Sequence, residues 1–239
     1  VLQSRGLGDV YKRQAKGPYF VGTQNFQIVD ASRKMWFSDD IKGSRKLSVK
    51  MWYPADNITS LKKAPYLNKH KLIGSAISKL FGVPEALMDR AGGVKCNSWL
   101  NAVPANGKFP IIIYSHGHQS IKIANTSQAE EMASNGYIVV AMDHSYDAAL
   151  TILDEDKIIY SRSKLPANDE EALQDSMILR VKNQLKIRTE DVSFVIDELK
   201  VMFEKDKRFS EVADFDKIGI FGHSFGGCTS IMSAYNDTR

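Results

Sequence analysis

The residues with the clearest chemical content are Gly222-His223-Ser224-Phe225-Gly226-Gly227, which contain a Gly-x-Ser-x-Gly pattern. A serine hydroxyl is a weak nucleophile until position and a neighbouring base activate it, so its setting decides whether it acts. Here a short apolar run, Lys217 to Phe221, reads as a buried strand, and the apolar stretch after the motif reads as a helix. Glycines flanking the serine permit a turn too tight for side chains. They leave the hydroxyl at a helix N-terminus, where amides without partners favour developing negative charge. The chemistry this predicts is acyl transfer through a covalent intermediate on Ser224.

Such a reaction needs donors for the tetrahedral oxyanion. The strand-like run Phe109-Pro110-Ile111-Ile112-Ile113-Tyr114 leads straight into Ser115-His116-Gly117-His118. In the nucleophile-elbow arrangement of α/β-hydrolases, one donor comes from a loop after an early parallel strand and the other from the residue after the nucleophile. The backbone N–H groups of His118 and Phe225 are therefore the expected oxyanion hole. One such donor contributes about 3 kcal/mol to the barrier reduction. His116 is expected to brace the loop rather than act as a base.

The base itself is not found by the same count. The five histidines, His70, His116, His118, His144 and His223, all precede Ser224. In this fold the acid and then the histidine follow the serine in the chain. Fifteen residues follow Ser224, with Asp237 the sole carboxylate and no histidine. The expectation is a fold cut just after the nucleophile helix, with the triad acid and base outside it; a rearranged triad through His144 is the weaker alternative.

The elements that must hold these residues read as an α/β protein. Phe26 to Asp30, Lys34 to Phe37 and Leu47 to Pro54 alternate apolar and polar, predicting antiparallel strands at the start. Pro54 to Asn57 reads as a turn. The apolar runs at Phe109–Tyr114, Tyr137–Met142 and Lys217–Phe221 suit strands buried on both faces of a parallel sheet. Between them, residues 125–135 and 169–204 carry helical patterns, the second broken once, with Ile187, Val192, Val195, Ile196 and Leu199 on its buried side. Ile152 to Tyr160 reads as a small hairpin. Leu72, Ile73, Ile77, Leu80 and Phe81 lie at helical spacing within 58–107, as a cap or lid or as a core-packing amphipathic helix. The fold class is thus an α/β-hydrolase fold, mostly parallel with antiparallel N-terminal strands.

Other polar and aromatic residues read as structural. Arg188 and Asp191, three apart on a helix, are expected to pair. Asp143-His144, at a strand end, reads as a loop-bracing network, Cys228 as a buried small hydrophobe, and Trp36, Trp52 and Trp99 as packing residues.

Composition bounds the partners. The chain has 239 residues, 43% apolar and 25% charged, with a formal charge of +4. Lys and Arg form no long stripe, which argues against a nucleic-acid partner. No apolar run nears the roughly 18 residues needed to span a bilayer. Two cysteines, Cys96 and Cys228, give neither a disulfide framework nor a zinc spacing, and no metal or organic cofactor is implied. Residues 4–14, SRGLGDVYKRQ, lack the apolar core of a signal peptide. They resemble a translated transposon-end sequencing adaptor, so 1–14 is expected to be a non-native tail. Dropping it, with Arg5, Lys12, Arg13 and Asp9, leaves a charge of +2. One domain is expected over 15–239.

Three ordered segments resemble the platelet-activating factor acetylhydrolase family of the plasma and type II kind. Gly17-Pro18-Tyr19-Phe20-Val21-Gly22 with Val49-Lys50-Met51-Trp52-Tyr53-Pro54 is similar to that family's opening. Lys108-Phe109-Pro110 through Ser115-His116-Gly117, then Ser134-Asn135-Gly136-Tyr137-Ile138-Val139, is similar to its central strands. Phe215-Asp216-Lys217-Ile218-Gly219 leading into the Ser224 motif is similar to its elbow. The resemblance implies a calcium-independent carboxylic ester hydrolase, acting on short or oxidised acyl chains of phospholipids, with contact to a membrane or lipid surface among its expected partners. That family usually carries a small apolar residue where His118 stands.

Three alternatives remain at this point. One is a cutinase-like polyester hydrolase. Another is a dienelactone-type hydrolase, against which Ser224 argues because those enzymes carry cysteine. The third is a catalytically dead hydrolase fold used for binding.

Overall fold

Strands buried on both faces need apolar residues in register with both neighbouring helix layers; the first two of the three apolar runs meet that demand, whereas the third, Lys217–Phe221, lies in a part-exposed edge strand rather than the buried one expected. In a computed structural model that describes residues 15–36, 40–162 and 170–239, Phe109–Ser115 forms β6, Ile138–Asp143 β7 and Ala213–Gly222 β10. They pair in parallel in the order β10, β6, β7. The expected tail, 1–14, lies outside the described residues, as does Phe37.

The antiparallel opening is also present, as two long strands. β1 (Phe20–Lys34) pairs with β2 (Ser44–Asn57), and β2 pairs antiparallel with β7, so the opening hairpin extends the parallel sheet. β3 (Lys63–Pro65), β4 (Lys95–Leu100) and β5 (Val103–Pro104) complete it; β4 runs parallel to β1, and β10 is an edge strand. The expected turn at Pro54–Asn57 is instead strand. Ala105 N–H donates to the Pro54 carbonyl at 2.9 Å, and β5 pairs with Ala55 and Asn57, so tertiary pairing overrides the local turn signal.

Period-two burial divides the core. Ile138, Val140 and Met142 join Val49, Met51, Ile111 and Ile113 on one face, packed on Val192, Val195, Ile196 and Leu199 of helix α5 (Lys186–Lys205). Val139, Ala141, Trp52 and Tyr114 face the other way, onto Ala129 and Ala133 of helix α3 (Thr126–Ser134). The long pattern over 169–204 is broken once, as expected. Helix α4 (Glu170–Leu179) passes through a π-helical turn at Arg180–Leu185 into α5. The small hairpin is β8 (Leu150–Ile152) with β9 (Ile158–Tyr160).

The helix expected within 58–107 forms as α1 (His70–Phe81), followed by α2 (Glu85–Gly92). Its buried side is Ile73, with Ile77 alongside, on Leu67 and on Ile123, which follows the β6 loop. The one-turn helix α6 (Lys207–Ser210) leads into β10, and helix α7 (Phe225–Asn236) leaves the sheet edge with Ile231 and Tyr235 exposed. Cys228 lies on this exposed side, not in the core as expected, because Gly226, Thr229, Ser230 and Ser233 form the buried face.

Candidate active site

The strand-to-helix turn places Ser224 in a conformation that L-residues rarely adopt, φ 53° and ψ −122°, immediately before α7. Such strain persists only where the surroundings enforce it. Two close backbone approaches do so. A Cβ built on Gly222 would lie 2.2 Å from the Gly226 carbonyl, and one on Gly226 would lie 2.0 Å from the Ser115 oxygen and 2.7 Å from that of His116. The glycines at the flanks of the motif are thus required by contact, and the start of α7 is pressed onto the loop after β6. Gly117 completes the approach, its position for a Cβ lying 3.5 Å from Ser224 Cβ.

The structure sets Gly117, the residue before His118, against Ser224. Ser224 is exposed, Phe225 starts α7, and His118 follows Gly117. The Phe225 N–H, in the first turn, has no carbonyl of its own helix to bond. Ser224 Oγ makes no hydrogen bond among the described residues.

The histidines around this rim have structural duties. His116 is fully buried; its Nε2 accepts from the His144 N–H at 3.2 Å, so its proton sits on Nδ1 and is donated to the Gly117 carbonyl at 2.6 Å. His144, also fully buried, receives the Ser115 hydroxyl on Nε2 at 3.0 Å and donates from Nδ1 to Asp191 at 2.9 Å. Burial first, and the Arg188 charge next, push the His144 pKa down to about 4 and that of His116 well below the ordinary imidazole range. Both rings are neutral at pH 7. His118 Nδ1 stands 3.4 Å from Asp147. Burial alone would raise the Asp147 carboxyl, but contact with His118 and the Arg188 charge hold it at about 2.

Ser115, His144 and Asp191 thus reproduce the hydrogen-bond order of a hydrolase triad. All three are 0% exposed, so no substrate reaches that serine, and the chain's use of them is to lock the loop. Sequence reasoning anticipated bracing by His116 and His144 but not this network. Its charged members are three arginines against three aspartates. Asp191 is bidentate to Arg45 at 2.9 and 2.6 Å, and 3.0 Å from Arg33, which also pairs with Asp30. Burial would raise the Asp191 carboxyl, but Arg45 and His144 hold it far below its usual range. The expected Arg188–Asp191 pair does not form. Arg188 turns to Asp147, 3.1 Å away at an angle unsuited to a hydrogen bond, because the better-placed Arg45 occupies Asp191.

Among the described residues no group of three or more His, Cys, Asp or Glu side chains could hold a metal ion, and no helix is long and apolar enough to cross a membrane. A cavity of about 220 Å³, lined among others by Lys50, Tyr66, Ile73, Ile121 and Ile123, excludes Ser224 from its walls.

A mixed sheet whose core strands β10, β6 and β7 run parallel, ending in a strained serine turn with a glycine loop pressed against it, is the α/β-hydrolase fold. A ferulic acid esterase from Streptomyces cinnamoneus shares it, with a TM-score of 0.73 and 26% identity, the match covering 95% of this chain and 58% of that one. Within this class, the chain belongs to the family described as platelet-activating factor acetylhydrolase, isoform II, matched over residues 6–239. Curated relatives include platelet-activating factor acetylhydrolases from Gallus gallus, 25% identical over 94% of this chain, and Bos taurus, 25% identical over 73%. A probable 1-alkyl-2-acetylglycerophosphocholine esterase from Arthroderma benhamiae is 25% identical over 56%. The chain spans 57% of the length of the Gallus relative and 40% of the Bos one.

Proposed function

We propose that Ser224 is the nucleophile of a carboxylic ester hydrolase that works through an acyl-enzyme. The observation that carries the reading is the strained, exposed Ser224 held against the Gly117–His118 loop and the start of α7. In the reaction, Ser224 Oγ forms a bond to the ester carbonyl carbon while its proton passes to a base. The carbonyl oxygen becomes an oxyanion facing the N–H groups of His118 and Phe225. Collapse expels the alcohol, which takes the proton from the base. Water, deprotonated by the same base, then releases the acid and frees the serine.

The buried, doubly engaged His116 and His144 are unsuited to be that base. In this fold the acid and the histidine follow the serine in the chain, and we propose that order for the base and its carboxylate here. The substrate class we infer is a phospholipid with a short sn-2 acyl chain, met at a lipid surface. The family membership and the names of the relatives support it. Helix α1 would serve as a cap, its Ile73 packed on Leu67 and on Ile123, which lies downstream of the Gly117–His118 loop.

The test is expression of the full-length protein. A fluorophosphonate should label Ser224, and the label should vanish in Ser224→Ala. Acetyl esters, p-nitrophenyl acetate and an sn-2-acetyl phospholipid, should turn over faster than long-chain ones. A folded protein with neither labelling nor turnover would establish the binding-protein reading instead.

A further inference from the structure

We propose that Arg188 is a positioning residue that sets the two halves of the oxyanion site relative to one another; this rests on the roles assigned above to Ser224, His118 and Phe225. The two donors come from separate pieces of chain, the loop after β6 and the first turn of α7. Arg188 belongs to neither, being on α5, and it is fully buried between them.

Its guanidinium touches both pieces in three ways. Nη2 donates to the His116 carbonyl at 2.5 Å, fixing the peptide that enters Gly117. Nε faces Asp147 at 3.1 Å, and the other oxygen of that carboxylate lies 3.4 Å from His118 Nδ1, so the His118 side chain is tied to the same group. The guanidinium carbon stands 4.9 Å from the centre of the Phe225 ring, within cation–π range of the residue that carries the second donor. A flat fork with N–H groups at its edge and an aromatic contact on its face bonds one element edge-on while stacking on another.

A charge placed there solely for stability is a poor choice, since apolar packing of equal volume often does as well. Position explains it. An oxyanion donor works only when held at hydrogen-bond distance from where the charge develops, and a relative slip of the two donors weakens transition-state binding without weakening substrate binding.

The experiment uses the full-length protein with Arg188→Lys, and Phe225→Leu as the second variant. Phe225→Leu removes the ring under the guanidinium and keeps every backbone N–H. For each, kcat and KM for p-nitrophenyl acetate are measured beside the inhibition constant of a trifluoromethyl ketone, which forms a tetrahedral adduct on serine. Folded protein is quantified by circular dichroism. The expected result is a fall in kcat of about 10- to 100-fold with KM within about threefold, and ketone affinity weakened by the same factor as kcat. Unchanged kcat in the folded variants, or a loss of kcat that ketone affinity does not follow, overturns the proposal. If Arg188→Lys does not fold, Phe225→Leu decides by the same criteria. Absence of fluorophosphonate labelling in the unsubstituted protein overturns the nucleophile assignment and this inference with it. Labelling with unaltered variants overturns the inference alone.

Discussion

Replacing Gly226 by alanine adds one carbon, and its cost can be worked from the geometry. The new Cβ would sit 2.0 Å from the Ser115 carbonyl oxygen and 2.7 Å from that of His116. Neither neighbour is a side chain that can rotate away. Relief takes a separation of about 1 Å between α7 and the β6 loop, and overpacking of this kind costs about 1–3 kcal/mol. Alanine recovers only about 0.5–1 kcal/mol through its better helix propensity. The net expectation is a destabilisation of about 1–2 kcal/mol. The functional loss should be larger than the stability loss, since a 1 Å displacement between nucleophile and donors costs about 100-fold in rate. Gly227, next in the chain, supplies the control. A Cβ there meets nothing closer than 3.6 Å, so Gly227→Ala should be neutral or stabilising. Urea unfolding and p-nitrophenyl acetate turnover of both variants in the full-length protein decide the matter. Gly226→Ala with native stability and turnover, or Gly227→Ala as damaging as Gly226→Ala, refutes the reasoning.

Three further expectations concern the buried network. His144 is held neutral, its pKa at about 4 against 6.5 for an ordinary imidazole, so the unfolded chain binds more protons and stability falls as pH drops from 6.5 towards 4. His144 alone should cost about 2–3 kcal/mol at pH 4.5, with His116 adding in the same direction; urea titrations showing no loss of stability between pH 7 and 4.5 would contradict this. Arg45→Met leaves Asp191 buried with Arg33 and His144 alone, and should lower the unfolding free energy by about 3 kcal/mol; a change below about 1 kcal/mol would show that the pair is dispensable. Ser115→Ala leaves His144 Nε2 without its donor and should cost about 1–3 kcal/mol, yet preserve fluorophosphonate labelling at Ser224. Loss of labelling in a folded Ser115→Ala protein would shift the chemistry to the buried serine.

What was legible in the sequence was what is encoded locally. Apolar runs with glycine turns gave β6, β7 and β10, and the Gly-x-Ser-x-Gly spacing announced the turn whose φ is 53° at Ser224. The i, i+3 spacing of Arg188 and Asp191 misled because helix neighbours compete with tertiary partners, and Arg45 reaches Asp191 from 146 residues away. Nothing in the local pattern of Arg45 marks it as a core residue, yet it is 1% exposed. Pro54–Asn57 read as a turn because β5, the strand that pairs with Ala55 and Asn57, is two residues long and carries no signal of its own. Cys228 was misplaced because α7 is apolar on more than one side, with Ile231 72% and Tyr235 82% exposed.

The link from Arg45 to Asp191 also sets an order of events in folding. The loop after β6 is locked by Ser115, His144 and Asp191, and Asp191 is neutralised by a strand near the other end of the chain. Contacts of such sequence separation are closed late, after their loop entropy has been met by nearer ones. A nascent chain can lay down β1, β2, β6 and β7 and still hold a loose loop. The loop reaches its locked geometry only once α5 has docked and brought Asp191 to His144 and Arg45.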